Sequence, residues 1–159
     1  MQRMDGKGRL VIPAAFRDAL RDGDPAGRDC DLTRMVVHYG AHLKGHLRIY
    51  SIESFRQVEA MIDALPMGST ERRNLSYLYL TQKDVMQADK EGRIILTADL
   101  RAKLGMDEGE VRLMGLGAHI EVWNDAAFAA TRGKEIDDWL AALPAGMDPL
   151  ALATRPAGA

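Results

Sequence analysis

Residues 5–17 read Asp-Gly-Lys-Gly-Arg-Leu-Val-Ile-Pro-Ala-Ala-Phe-Arg, and residues 89–101 read Asp-Lys-Glu-Gly-Arg-Ile-Ile-Leu-Thr-Ala-Asp-Leu-Arg. At an offset of 84 positions the two stretches share the first Asp, a Gly, the Arg after it, an Ala and the final Arg. Both also place three apolar residues in the middle. Chance rarely preserves identity and hydrophobic pattern together, so the sequence indicates an internal duplication. Each copy predicts a tight basic turn, a short strand and a helix.

A second pair of similar stretches follows the turns. Residues 46–55 and 119–128 share a His, an alternating apolar pattern with an aromatic residue, and a later Phe. In each copy these residues predict a hairpin followed by a longer helix, so the predicted fold is α+β with two tandem βαββ repeats. The predicted hairpins are 35–38 with 47–50 and 111–116 with 120–123.

Several helix ends are marked by residues with capping preferences. Pro13 stands where its missing N–H costs nothing, so it is expected to open the first helix. Thr97 is a good N-cap at the same place in the second copy, and Gly105 is expected to end that helix. Three further helices are expected to be capped by the polar residues Ser51, Thr70 and Asn124.

These patterns predict an order of segments along the chain. A repeated half of ~70 residues would have a thin core alone, so the two halves are expected to pack together. The Pro-, Gly- and Ala-rich tail is expected to be disordered. The predicted segments are a first repeat at 1–54, connecting helices at 55–82, a second repeat at 83–126, a C-terminal helix at 127–143 and the tail at 144–159.

Composition excludes some classes of protein. The chain has 159 residues, 47% of them hydrophobic and 28% charged, which is ordinary for a globular protein. No apolar stretch approaches the ~20 residues of a spanning helix, and the first residues hold no signal peptide, so no membrane partner is expected. The single cysteine, Cys30, excludes an intramolecular disulfide and fits a reducing cytoplasm. A nucleophilic role for it is disfavoured because no partner base can be identified.

Charge is distributed unevenly along the chain. The formal net charge is −2. Residues 1–21 nevertheless contain five basic and two acidic residues, whereas residues 102–159 contain five basic and nine acidic ones. A local basic surface can steer a mildly acidic protein toward phosphate within a Debye length. The pattern favours modest affinity for nucleic acid and disfavours indiscriminate coating of it.

The turns have the residue types that DNA readers use. Glycine lets backbone amides approach a phosphate closely. The planar fork of Arg9 or Arg93 suits the O6/N7 edge of guanine, whereas a lysine acts as a point charge. Asp5 and Asp89 would cap the turns or orient the arginines. The alternative is that Arg9 and Arg93 only close structural ion pairs with those two aspartates.

The motif Asp-x-Lys-Gly-Arg-Leu-x-Ile-Pro-x-x-Phe-Arg at 5–17 resembles the first repeat motif of the MraZ proteins. A Glu-Arg-Arg helix at 71–73 and the second motif at 89–101 stand in that family's order, and the resemblance covers residues 3–143. MraZ proteins are bacterial transcriptional regulators related to the SpoVT/AbrB and MazE swapped-hairpin DNA binders. The resemblance implies an intramolecular swapped-hairpin β-barrel with flanking helices, formed by the two repeats.

The resemblance also implies partners and a place of action. The family binds double-stranded DNA at short G-rich direct repeats upstream of its own gene, as a homo-oligomeric ring, and generally represses the division and cell-wall cluster. A cytoplasmic, nucleoid-associated protein without cofactor, metal or catalytic residue is therefore expected. Arg17 and Arg101 are left open between a phosphate contact and a solvated helix face. The expected DNA-binding residues are Lys7, Arg9, Lys90, Arg93, Arg3, Arg17 and Arg101, and the expected turn-forming residues are Gly6, Gly8 and Gly92.

Two departures from the family pattern lead to further expectations. The second copy has Glu91 where the first has Lys7, so the second turn should be the weaker DNA contact unless Lys90 takes over that role. Only four residues precede Asp5, fewer than is usual in the family. Either the first strand is shortened or the start is assigned too late. A shortened strand is expected to lower the stability of the first half and, with it, to affect ring assembly.

Two other functions remain open. One is an antitoxin-like AbrB/MazE module that mainly binds a protein partner, which the duplication disfavours. The other is an enzyme, for instance a hydrolase that uses His38, His42 and His46. Their spacing would align three metal ligands on a helix. Gly40 and Gly45 interrupt such a helix, so ordinary loop or strand histidines are favoured.

Overall fold

The structure, a computed structural model, describes residues 1–27, 29 and 32–154. The prediction about Cys30 therefore lies outside the described residues. The chain divides into two compact units, Met1–Asp125 and Ala126–Ala159. No helix in the described ranges is both long and apolar enough to span a bilayer.

Strands and helices follow the duplicated order that the sequence predicts. A further strand precedes the turn in each copy, so the full unit is ββαββ. The strands are β1 (Gln2–Met4), β2 (Arg9–Val11), β3 (Thr33–His38), β4 (His46–Tyr50), β5 (Lys83–Ala88), β6 (Arg93–Ile95), β7 (Gly109–Gly115) and β8 (Ile120–Asn124). The helices are α1 (Ala14–Asp22), α2 (Ile52–Asp63), α3 (Thr70–Leu75), α4 (Ala98–Leu104), α5 (Asp125–Phe128) and α6 (Lys134–Ala142).

The strands interlock the two copies. Six of them form one antiparallel sheet in the order β1-β7-β8-β4-β3-β5, and the other two form a separate pair, β2-β6. Strand β1 of the first copy pairs with β7 of the second, and β5 of the second pairs with β3 of the first. The pairs β4-β8 and β2-β6 also join the copies. This exchange confirms the swapped-hairpin fold with flanking helices.

The main core is shared by equivalent residues of both copies. Met4, Leu10 and Ile12 of the first copy are buried in one cluster with the residues 84 positions later, Ala88, Ile94 and Leu96. Each fully buried aliphatic side chain stabilises the fold by about 1.5–3 kcal/mol. Because neither copy encloses this core alone, the expectation that the halves pack together is met.

Most of the predicted helix ends are confirmed, and one is wrong. Pro13 immediately precedes α1, and the Thr97 hydroxyl accepts a hydrogen bond from the Leu100 amide at the start of α4. Gly105 ends α4 in the left-handed conformation, with φ of +69°. The cap of α3 is Ser69, whose hydroxyl accepts from the Arg72 amide, and not Thr70. Both hydroxyl residues suit an N-cap, and the choice between neighbours depends on where the preceding turn ends.

In the unit Ala126–Ala159, the described residues 126–154 are mostly helical. A π-helical turn, Ala129–Gly133, precedes α6. Ile136, Trp139 and Leu140 of α6 are each more than two-fifths exposed. In the tail that is expected to be disordered, Pro149–Thr154 form a short 3₁₀ helix, and residues 155–159 lie outside the described part of the chain.

His38 makes the stability of the sheet dependent on pH. Its side chain is fully buried, its Nδ1 lies 3.0 Å from the carbonyl oxygen of Gln82, and its ring stacks on Tyr79 at 4.4 Å. Burial lowers the pKa of His38 from 6.5 to about 4. The unfolded chain therefore binds a proton between those pH values that the folded chain does not. Stability is accordingly lost as pH falls from 6.5 toward 4.

We expect the free energy of unfolding of the wild type to fall by about 2 kcal/mol between pH 7.5 and pH 5 through His38 alone. Urea titrations at both pH values measure it. His38→Asn keeps a donor for Gln82 and should show a smaller fall. His42→Gln removes an exposed histidine and should change the fall less. Equal falls in the wild type and His38→Asn would contradict the assignment.

Candidate nucleic-acid interface

Residues 5–8, the first turn, and residues 89–92, the second turn, have the same backbone conformation. The Gly8 amide donates to the Asp5 carbonyl at 2.9 Å, and the Gly92 amide donates to the Asp89 carbonyl at 2.9 Å. Asp in the first position and Gly in the fourth are typical of a type I turn. Gly8 and Gly92 have φ of +81° and +83°, a region that favours glycine. Gly6 does not have a positive φ.

In the first turn, the Asp5 carboxylate both caps the backbone and orients an arginine. Its Oδ1 accepts from the Lys7 amide at 3.0 Å and the Arg9 amide at 2.9 Å. Its Oδ2 accepts from Arg9 Nε at 2.6 Å. These bonds to Arg9 and Lys7 hold the pKa of Asp5 below its usual value. The ion pair weighed in the sequence therefore forms. The ion pair engages Nε, the Arg9 side chain is 50% exposed, and within the described residues its two Nη groups have no hydrogen-bond partner.

In the second turn, the same contacts recur with one addition. Asp89 Oδ1 accepts from the amides of Glu91 and Arg93, and its Oδ2 accepts from Arg93 Nε at 2.8 Å. Arg93 Nη2 also donates to Glu91 Oε2 at 3.2 Å. The hydrogen bond and charge of Asp89, followed by Glu91, raise the pKa of Arg93. One nitrogen of the outer guanidinium edge of Arg93 is thus engaged within its own turn.

The arginines share one face of the β2-β6 pair, which we call the ribbon. Arg9 lies opposite Ile95, and Val11 lies opposite Arg93. These four side chains are exposed, whereas Leu10 and Ile94 between them are buried. A two-stranded antiparallel ribbon fits the width of a DNA major groove. The register therefore presents two guanidinium groups on a single groove-sized surface.

Two apolar residues of this face were not among the residues that the sequence predicted to bind DNA. Val11 is 39% exposed and Ile95 is 64% exposed. In a free protein such exposure is unfavourable, but in a major groove an apolar side chain can contact a thymine methyl group. Side chains of a strand alternate between its two faces, so alternate residues of each triplet face solvent. Because all three residues of each triplet are apolar, the sequence does not show which of them are exposed.

Each turn is fastened to the other copy by the backbone. The Leu96 amide donates to the Gly8 carbonyl at 2.8 Å, and the Ile12 amide donates to the Gly92 carbonyl at 2.7 Å. These two bonds continue the ladder of the ribbon beyond its strands. The positions of the two turns are consequently fixed relative to one another.

The remaining predicted DNA-binding residues have different environments. Lys7 and Lys90 are exposed on the turns. Arg3 lies on β1, opposite Glu110, and pairs with it at 3.6 Å. Arg17 and Arg101 are partly buried against the turns. The structure thus gathers six of the seven predicted basic residues on or beside the turns, while Arg3 is on the neighbouring sheet and partly neutralised.

The histidines are placed as packing residues of the sheet. His38 and His46 are buried and lie on β3 and β4, so the three evenly spaced histidines are not on a helix. His46 stacks on Trp123 with ring centroids 4.2 Å apart. Within the described part of the chain, no three His, Cys, Asp or Glu side chains are arranged to hold a metal ion.

Proteins similar to this chain come from several bacteria. A sequence model described as "MraZ protein, putative antitoxin-like" matches residues 80–138. The transcriptional regulator MraZ of Ruegeria pomeroyi is 35% identical over 148 residues, which cover 93% of this chain and 88% of the relative. The protein of that name from Cereibacter sphaeroides is 32% identical over 160 residues, covering 95% and 90%. The one from Desulfosudis oleivorans is 29% identical over 136 residues, covering 86% and 84%.

Proposed function

The chain belongs to the MraZ family of transcriptional regulators, and on that premise we propose that it binds double-stranded promoter DNA through the ribbon and the two turns. Its family consists of regulators and not of enzymes, so the hydrolase alternative is set aside. As a regulator it acts in the bacterial cytoplasm, associated with the nucleoid.

The observation that carries this proposal is the pair of oriented arginines on one exposed face. Arg9 and Arg93 are each held through Nε by an aspartate of their own turn. A guanidinium fixed in this way loses little conformational entropy when its Nη edge meets a base. The ion pairs therefore support reading of DNA instead of competing with it.

The preferred DNA is double-stranded and G-rich, with direct repeats. Arginine forms bidentate hydrogen bonds with guanine O6 and N7, the commonest specific contact in the major groove. Lys7, Lys90 and Arg3 supply contacts to phosphate, which position the protein without specifying sequence. In this proposal the protein represses its own promoter and the division and cell-wall gene cluster that follows it.

Oligomerisation supplies the affinity that one chain lacks. Residues 5–9 have one more basic than acidic residue, and residues 89–93 have equal numbers, so each chain neutralises few phosphates. A ring of chains bound to several repeats makes the later contacts intramolecular, which raises avidity by ~10²–10⁴-fold. A monomer in sedimentation that still bound a single repeat tightly would contradict this part of the proposal.

Fluorescence anisotropy of labelled duplexes tests the function directly. We expect the wild type to prefer a duplex with G-rich direct repeats over a scrambled duplex of the same composition, with affinity falling steeply as salt is raised. Each duplex is titrated at two salt concentrations. Equal affinity for the two duplexes at both concentrations would contradict the proposal. The second candidate, an antitoxin-like module that binds a protein, would then be favoured, in keeping with the description of the matched family model.

A further inference from the structure

Each repeat places a helix arginine against the turn of the other repeat. Arg101, on α4 of the second copy, donates from Nη1 to the Gly6 carbonyl of the first turn at 2.9 Å. The same Nη1 lies 3.4 Å from the Asp107 carbonyl. Arg17, on α1 of the first copy, packs on the second turn, where a Cβ built on Gly92 would lie 2.8 Å from Arg17 Nε. The two arginines occupy equivalent positions in the repeats, and their contacts cross between the copies.

Both arginines have part of the guanidinium group buried where the helix meets the turn. The Nε atoms of Arg17 and Arg101 are buried, and neither has a hydrogen-bond partner in the described ranges. A solvated helix face would leave these atoms in contact with water. A phosphate could not reach the Nε edge without displacing the turn. Burying part of a charged group in this way is unfavourable unless the group stabilises something in return.

The stabilised element is the turn that carries the base-reading arginine. Arg101 binds the carbonyl of Gly6, the residue directly after Asp5, and Asp5 in turn holds Arg9. The lack of a Cβ at Gly92 allows Arg17 to lie flat on the second turn, directly before Arg93. Each contact restrains the backbone within three residues of the arginine that faces solvent.

We propose that Arg17 and Arg101 are positioning residues, each of which holds the DNA-reading turn of the opposite repeat in its binding conformation. This inference rests on the proposed function, in which the turns read DNA. Its evidence is the contact of each arginine with the turn of the other copy. It assigns the two arginines to neither of the roles left open by the sequence, a phosphate contact or a solvated helix face. It also means that the turn carrying Arg9 depends on the second copy and the turn carrying Arg93 depends on the first.

Amide hydrogen exchange, measured by NMR on the free protein, tests the crossing without DNA. Arg101→Ala should speed exchange of the Lys7 and Gly8 amides about 10-fold or more and leave the Glu91 and Gly92 amides unchanged, because only the first turn loses its brace. Arg17→Ala should do the reverse. Arg56→Ala removes an exposed arginine of α2 and serves as the matched control. Exchange that rises equally in both turns, or in neither, would overturn the proposal.

DNA binding by the same variants separates positioning from phosphate contact. Arg101→Ala should lower the ratio of specific to non-specific affinity about 3- to 10-fold, since a less ordered turn must be ordered on binding. The dependence of log affinity on log salt should keep its slope. Loss of a phosphate contact would instead reduce that slope by about 0.9 and weaken both duplexes alike, and this result would overturn the proposal.

Two precautions keep the outcomes separate. If Arg101→Ala does not fold, Arg101→Lys keeps the charge but loses the planar fork, and faster exchange at Lys7 is still expected; unchanged exchange would overturn the proposal. If the wild type shows no preference for the repeats, the proposed function fails. The exchange experiment then still decides whether the crossed contacts hold the turns.

Discussion

Arg9→Ala combined with Arg93→Ala is expected to remove the preference for G-rich repeats while leaving a folded protein. Each bidentate contact with guanine discriminates against a wrong base by roughly 10- to 100-fold, so losing two should reduce specific affinity by roughly 10²-fold or more. Both side chains are exposed on the ribbon, and the core beneath them is formed by Leu10 and Ile94. Fluorescence anisotropy on specific and scrambled duplexes measures the loss, and thermal unfolding checks the fold.

The two single variants should differ in size. Arg93 shares its Nη2 with Glu91, whereas Arg9 has only Asp5 as a carboxylate partner among the described residues. Arg9→Ala should therefore cost more specific affinity than Arg93→Ala. Arg9→Lys retains the charge without the fork, so it should keep the salt slope but lose most of the preference. Full preference in the double variant would show that the ion pairs are purely structural, which was the alternative left open by the sequence.

Local features of the fold could be predicted because their causes are local. Each of these signals acts within a few residues of its own position. They are the Asp and Gly of each turn, Pro13 before α1, and Thr97 and Gly105 at the two ends of α4. Backbone conformation and capping at such sites depend on side chains that are adjacent in the sequence. The duplication then extended each local prediction from one copy to the other.

Contacts between the copies could not be derived from residue patterns. The exchange of β1 and β5 depends on pairing between strands far apart in the chain, and only the family resemblance implied it. The bond from Arg101 to the Gly6 carbonyl likewise spans 95 positions. Helical periodicity places Arg101 on a helix surface but does not say what packs there. The same limit hid Val11 and Ile95, because an apolar triplet does not reveal which of its residues face solvent.

Gly8→Ala should be the most destabilising substitution at a glycine of the turns. A Cβ at Gly8 would lie 2.2 Å from the carbonyl oxygen of Leu96, and φ is +81°. That contact is with backbone, and the Leu96 amide also binds the Gly8 carbonyl, so relief requires β2 and β6 to separate at their ends. We expect the free energy of unfolding to fall by about 3–5 kcal/mol, measured by urea titration at pH 7.5.

Substitutions at two other glycines separate the cost of backbone strain from the cost of the clash made by the added Cβ. Gly117 has φ of +84° with nothing within 4 Å of its Cβ position, so Gly117→Ala measures the conformational strain alone, about 1–2 kcal/mol. Gly92 has φ of +83°, but its Cβ would meet the Arg17 side chain, which can swing away. Gly92→Ala should accordingly fall between the other two. The order Gly8, Gly92, Gly117 follows from what each Cβ would touch, since the backbone strain is nearly the same at all three. If Gly8→Ala lost no more stability than Gly117→Ala, the two copies would not be held together at this turn as closely as the structure shows, and the fixed spacing of Arg9 and Arg93 would lose its basis.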